Sequence, residues 1–248
     1  MKVLLAWGVL LASLCAHAED RVAEARKRQT AGLVQLFKEA GLSWPPQELY
    51  LRAFKAEREL EAWAGQKGQP LVKVRTFPIC AASGEPGPKR AFGDLQVPEG
   101  FYTVDLFNPK SAYHLSMRVS YPNALDRKLG AANPGGDIYI HGDCVSIGCM
   151  AIENGPIEAL YVMVSEARAR MGRDVPVHVF PRRLDAAGLA ALEALSGVPD
   201  AHKAFWRGLE PGYRFFEESR RPPRVKVDAA ASAYVVTPAL PVREARAR

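Results

Sequence analysis

Apolar positions along the chain change their spacing several times, and each change marks an element. Between Asp20 and Ala40, Val22, Ala25, Leu33, Leu36 and Phe37 recur among Arg, Lys and Glu, which predicts an amphipathic helix stopped by Gly41. Ser43-Trp44-Pro45-Pro46 breaks the pattern. Over Leu49–Ala64 two signals compete: the Ala-Glu-Arg-Glu-Leu-Glu run favours helix by propensity, whereas Arg58, Leu60 and Ala62 alternate with Glu57, Glu59 and Glu61. Leu71–Ile79 is rich in β-formers, Ser83–Arg90 is a Gly/Pro/basic loop, and Val97-Pro98-Glu99-Gly100 turns into a strand at Phe101–Asp105. Tyr113–Ser120 alternates as a strand. Further on, Gly155-Pro156 opens a helix with Ile157, Leu160, Tyr161, Val164 and Met171 on its apolar face, and Gly172 ends it. Asp174–Pro181 reads as a buried strand, and Leu184–Leu195 and Ala201–Ser219 as helices. The aromatic stripe of the second (Phe205, Trp206, Tyr213, Phe215, Phe216) is of the kind that packs a core. Val225–Val227 and Tyr234–Val236 are short strands, and Arg243, Arg246 and Arg248 sit in a disordered basic tail. No internal repeat is present.

The stretch that carries chemistry is Asp137–Met150. Asp137, Tyr139 and His141 alternate with Ile138 and Ile140, a strand entered from the turn Pro134-Gly135-Gly136. His141 therefore stands at a strand end, where Gly142 lets the backbone turn away, and eight residues later comes Cys149, preceded by Gly148 and Ser146. An imidazole can take the proton of a thiol that is otherwise mostly unreactive at neutral pH, which makes Cys149 a candidate nucleophile and His141 its base. Backbone N–H groups around Gly148 and Cys149, left free, would receive an oxyanion, and Ser146 would position substrate or loop. A helix beginning near Gly155 would help lower the thiol pKa. Other meanings stay open on the residues alone: a small buried apolar cysteine, a strand-end histidine bonded to a carbonyl, or a metal held by His141, Asp143, Cys144 and Cys149. No Cys-x-x-Cys spacing supports the metal. His114 and His178 read as sheet histidines, and Lys89 and Arg90 as loop cations suited to a carboxylate.

Composition bounds the setting. Residues 1–18 carry Lys2, an apolar run Val3–Cys15 and Ala16-His17-Ala18, the pattern of a secretory signal peptide cleaved after Ala18. The run is short for a bilayer span, so an exported, periplasmic protein that is not integral to the membrane is expected. Loss of Lys2 takes the formal charge from +6 to +5, an excess suited to an anionic polymer such as cell wall. No motif supports nucleic-acid binding. The mature chain keeps Cys80, Cys144 and Cys149, an odd number, so at least one thiol is unpaired within a monomer. Both Cys80–Cys144 and Cys144–Cys149 are possible pairs, and the second would disable Cys149.

His141-Gly142 followed by Ser146-Ile147-Gly148-Cys149 resembles the signature of the L,D-transpeptidase catalytic domain (the YkuD domain), and more closely its YafK-like murein branch. Leu51–Glu61, Gly93-Asp94, Pro98–Tyr102, Tyr113–Ser116 and Pro176–Pro181 look like that branch too, so the likeness covers roughly residues 48–182. Many members carry an Arg two residues after the cysteine, where this chain has Ala151. The resemblance implies a mainly β fold with α (α+β), an L,D-transpeptidase-like β-sandwich or barrel core with helical N- and C-terminal extensions. It also implies a strand pair over Leu49–Ala64. The layout expected is a signal peptide at 1–18, a helix and linker at 19–47, the catalytic domain at 48–182, and a helical extension with basic tail at 183–248. By the same resemblance Cys149 is the nucleophile and His141 the general base, with Gly148, Ser146 and Gly142 around substrate and oxyanion. The implied partner is the peptidoglycan stem peptide, with wall-attached lipoprotein as a further one. Acyl transfer through a thiolate requires no cofactor and no metal. Transfer to an amine, hydrolysis by an amidase and a non-catalytic wall-binding role are the three functions compatible with these residues.

Overall fold

The computed structural model describes residues 4–228 and 230–237, with side chains from residue 21 onward. The tail residues Arg243, Arg246 and Arg248 lie outside the described part.

A long helix, α1 (Leu4–Glu39), leads into the strand pair β1 (Glu48–Phe54) and β2 (Glu59–Gly65), then β3 (Val72–Pro78). β4 (Gly100–Asn108) and β5 (Ser116–Val119) follow, then a short helix α2 (Ala124–Leu129), β6 (Tyr139–His141) and β7 (Met150–Ala151). Helix α3 (Asn154–Met171), strand β8 (Val175–Phe180), helices α4 (Ala186–Glu193) and α5 (Asp200–Ser219) and the hairpin β9 (Arg224–Asp228)/β10 (Ala233–Thr237) complete it.

Eight strands form one mixed sheet in the order β3-β2-β1-β8-β4-β5-β6-β7, with β1/β8 and β6/β7 parallel. The sheet curls until its ends meet. Just past β3, Ala81 bridges Ala151 of β7, with Ala151 N donating to Ala81 O at 3.0 Å and Cys80 N to Ala151 O at 3.0 Å. A disulfide from Cys80 to Cys144 fastens the same seam. The fold is α+β, a barrel-like sheet with helices on its faces.

Alternation along β1 explains the layers. Leu49, Leu51 and Ala53 enter the main core with Leu33 and Phe37 of α1 and Leu160 and Met163 of α3, while Tyr50, Arg52 and Phe54 face α5. Both faces of β1 and β2 are therefore covered, and tertiary burial overrides the local helix propensity around Glu57–Glu61. The charges on the second face survive burial because they are paired. Arg52, 1% exposed, meets Glu61 at 2.8 Å and Glu217 at 2.6 Å and lies over the rings of Trp63 and Phe216. His178 is likewise structural, its Nδ1 accepting the Tyr50 hydroxyl at 2.6 Å, and burial holds its pKa down at about 3.

Several boundaries differ from the sequence expectation for identifiable reasons. β5 starts at Ser116, not Tyr113, because His114 takes a left-handed conformation (φ 63°) that breaks extended pairing. Asp137, also left-handed (φ 55°), keeps β6 to three residues. Helix α2, absent from the sequence reading, is nucleated by a capping box between Asn123 and Asp126. Among the described residues no helix is long and apolar enough to cross a membrane.

Candidate active site

β6 lies between β5 and β7, so its two alternating faces have different fates. Ile138 and Ile140 are buried in the main core, while Tyr139 and His141 open onto a cavity of ≈ 380 Å³. Asp137, Ser146, Cys149 and the segment Ser111-Ala112-Tyr113 line the same cavity. The sequence-predicted pair thus shares one chamber, with Cys149 half-buried and His141 buried.

Two glycines allow this. Gly148 sits at φ +126°, a conformation only glycine adopts readily, and it turns the chain so that Cys149 enters the cavity. At Gly142 a Cβ would come within 2.9 Å of the Tyr113 carbonyl and 2.5 Å of Asn154 Oδ1, so the backbone could not pass. Asn154 Oδ1 accepts the N–H of Asp143 at 2.9 Å and ties the loop to the start of α3.

His141 Nδ1 is 2.5 Å from the Gly142 carbonyl. A carbonyl only accepts, so the neutral ring carries its proton on Nδ1 and leaves Nε2 as the basic nitrogen. Tyr113 packs on the imidazole with ring centroids 4.7 Å apart. Burial lowers the His141 pKa, opposed by the Gly142 carbonyl and by Asp143. Burial also raises the Cys149 thiol, with Asp137 adding to the rise and the Tyr139 N–H, 3.4 Å from Sγ, opposing it. Both shifts favour the uncharged forms of a thiol and an imidazole that line one cavity. The expected help from a helix N-terminus is therefore overruled: α3 begins only at Asn154, and desolvation dominates the thiol.

The N–H groups expected to be free are engaged. Gly148 N and Cys149 N both donate to Ser146 Oγ, at 3.2 and 3.0 Å, and the hydroxyl donates onward to the Cys149 carbonyl at 2.7 Å. Gly142 N donates to the Tyr113 and Leu115 carbonyls. Ser146 is in place as a loop-ordering group, and the two amides reach an oxyanion only if its hydroxyl is displaced.

Other candidates fall away from the cavity. Lys89 is buried on Asp94 at 2.6 Å and Arg90 lies 3.5 Å from Asp126, so neither is presented to a substrate carboxylate. His114 turns to Glu158, 2.8 Å away. The disulfide removes Cys144 from the proposed metal set, and no cluster of three or more metal-ligating side chains occurs among the described residues. It also leaves Cys149 as the free thiol among the described side chains. Sequence reasoning missed Tyr113 as a neighbour of His141, since its strand pattern hid the left-handed turn that aims it there.

Against known families, the model of the L,D-transpeptidase catalytic domain (YkuD) matches residues 49–179. The chain belongs to that family. YafK of Escherichia coli (strain K12), provisionally named an L,D-transpeptidase, is 36% identical over 181 residues, covering 72% of this chain and 70% of that protein. Among solved structures, the helical cell shape determining protein Pgp2 of Campylobacter jejuni aligns over 73% of each chain at 19% identity and TM-score 0.45. A variant of the same protein aligns at 24% identity and TM-score 0.44 over 55% of this chain, which spans about half (49%) of its length. Such distant likenesses carry no weight for function.

Proposed function

We propose that this family member is an exported cysteine acyltransferase, a murein L,D-transpeptidase working on peptidoglycan stem peptides in the periplasm after removal of residues 1–18. The observation that carries the reading is the one cavity lined by both a free Cys149 and His141, the remaining two described cysteines being joined to each other.

The chemistry follows from the neutral resting pair. Substrate brings the carbonyl between meso-diaminopimelate and a D-amino acid to Sγ. His141 Nε2 takes the thiol proton as the C–S bond forms, and returns it to the leaving amine as the C–N bond breaks. In the second half-reaction an incoming amine loses a proton to His141, attacks the thioester, and Cys149 leaves and is reprotonated. The carbonyl oxygen displaces the Ser146 hydroxyl and collects the Gly148 and Cys149 N–H groups, so the amides stay aimed until they are needed. No cofactor enters these steps. Water in place of the amine makes the same site an amidase that opens crosslinks or releases wall-attached lipoprotein.

The test is mature protein incubated with muropeptides and sacculi, with mass spectrometry of protein and products beside Cys149→Ala. A stem-peptide adduct on Cys149 with new crosslinks or exchanged D-amino acids is expected. Shortened products alone would assign the hydrolase. Crosslinking that persists in Cys149→Ala would overturn both, and a substrate unchanged by wild type and Cys149→Ala alike would leave a wall-binding role.

A further inference from the structure

The wall of the cavity that holds Tyr113 is not fixed by the sheet. Residues 109–115 leave β4, pass through the left-handed His114 and rejoin at β5. Besides the Gly142 N–H just past β6, which donates to the Tyr113 and Leu115 carbonyls, what holds them comes from α1 and α3. Arg21 Nη1 donates to the Ser111 carbonyl at 2.9 Å and to the His114 carbonyl at 2.5 Å, bracketing Tyr113 from both sides. A second tie lies about two turns further along α1. His114 Nε2 meets Glu158 Oε1 of α3 at 2.8 Å, and the same carboxylate is gripped by Arg28 of α1 through Nε at 3.0 Å and Nη2 at 2.7 Å. These bonds pull Glu158 down to a pKa of about 2, so it stays an acceptor throughout the neutral range. Between the two ties stands Tyr113, whose ring lies on His141 and whose carbonyl accepts the Gly142 N–H at 3.0 Å.

Arg21 is not needed to dock its helix. Ala25, Leu33 and Phe37, each at most 2% exposed, already seat α1 in the core through apolar burial. Two charge-assisted bonds from Arg21 to the Ser111 and His114 carbonyls, on either side of Tyr113, serve the cavity wall instead.

We infer that Arg21, on the N-terminal helix and outside the cavity, is a positioning residue for the reaction: by clamping the Ser111 and His114 carbonyls it sets Tyr113 against His141 and so holds the base at its working angle. This rests on the acyl-transfer reading only for its kinetic consequence. The geometric link stands apart from it.

The experiment compares wild type, Arg21→Ala, Arg21→Lys, Tyr113→Ala and the Arg21→Ala/Tyr113→Ala pair in the full mature protein. The first readout needs no turnover: histidine-labelled NMR follows the His141 ring protons, which sit in the ring current of Tyr113. Arg21→Ala should move that resonance toward its position in Tyr113→Ala, and Arg21→Lys should bring it back. The second readout is kcat and KM on muropeptides, where a misplaced base should lower kcat about tenfold with KM nearly unchanged. In the Tyr113→Ala background the arginine change should add little, because both act along one path. An unmoved His141 resonance in Arg21→Ala overturns the inference, whatever happens to Tm. So does an arginine effect of equal size with and without Tyr113. If wild type turns nothing over, the acyl-transfer reading fails and the resonance alone decides the clamp.

Discussion

The Ser146 hydroxyl accepts the Cys149 N–H at 3.0 Å and gives its own proton to the Cys149 carbonyl at 2.7 Å, so one side chain holds the candidate nucleophile's backbone on both sides of its Cα. Gly148, held at φ +126°, depends on the same hydroxyl through its N–H. Ser146→Ala leaves these groups without their partner and the turn without its tie. The expected result is a kcat lower by about 10²-fold, the scale set by losing a preorganised oxyanion site, with Cys149 still open to alkylation. Steady-state kinetics beside iodoacetamide labelling checks this, and near-wild-type kcat would remove Ser146 from the working site.

The neutral thiol–imidazole pair dictates a pH profile. Protonated His141 cannot accept the thiol proton, so activity should fall as pH drops through the His141 pKa, which burial places below the ordinary histidine value. Thiolate formation runs the other way, and without substrate the alkylation rate of Cys149 should rise only through a midpoint above the ordinary thiol value. A rate plateau already reached in acid would mean a preformed thiolate–imidazolium pair and contradict this electrostatic picture.

The Cys80–Cys144 bond spans 64 residues and fastens the seam beside the loop that carries Cys149. Chain-entropy arguments give such a closure up to about 4 kcal/mol. Cys80→Ser with Cys144→Ser should therefore lower Tm and, by freeing residues 142–149, reduce kcat more than it raises KM. In the unreduced mature protein, mass spectrometry should find one alkylatable cysteine, Cys149. Labelling on Cys80 or Cys144 instead would refute the pairing.

Arg52 and Glu61, each 1% exposed, make a pair whose value is conditional. Arg52→Leu alone leaves Glu61 with Arg183 and a Trp63 N–H but without its buried cation, and should cost about 3 kcal/mol in denaturant unfolding. Arg52→Leu with Glu61→Leu should recover part of that loss. Since α5 and the far face of β1 are involved, kcat at Cys149 should not change. A double variant weaker than the single would show that the charges stabilise rather than merely satisfy each other.

Much of this was legible in the chain itself. Period-two alternation located β6 and pointed Tyr139 and His141 away from Ile138 and Ile140; Gly41 and Gly172 marked the ends of α1 and α3. Residue chemistry and family signature singled out His141, Ser146, Gly148 and Cys149 before any geometry was known. What local pattern could not express was competition between distant groups. The strand pair over Glu48–Gly65 prevails over helix propensity because α3 and α5 cover its two faces. His114 leaves its strand pattern because a carboxylate forty-four residues on claims its ring. Lys89 and Arg90 read as free cations until Asp94 and Asp126 fold against them.

By itself the sequence determined which groups could do thiol chemistry and the period of the elements bearing them, since both are properties of neighbouring residues. Only the tertiary structure decided which of the described cysteines stays free, that the amides of Gly148 and Cys149 are held by Ser146, and that burial moves the Cys149 thiol up and the His141 imidazole down. Disulfide pairing, hydrogen-bond occupancy and desolvation depend on which atoms meet across the closed sheet, and spacing along the chain carries no measure of that.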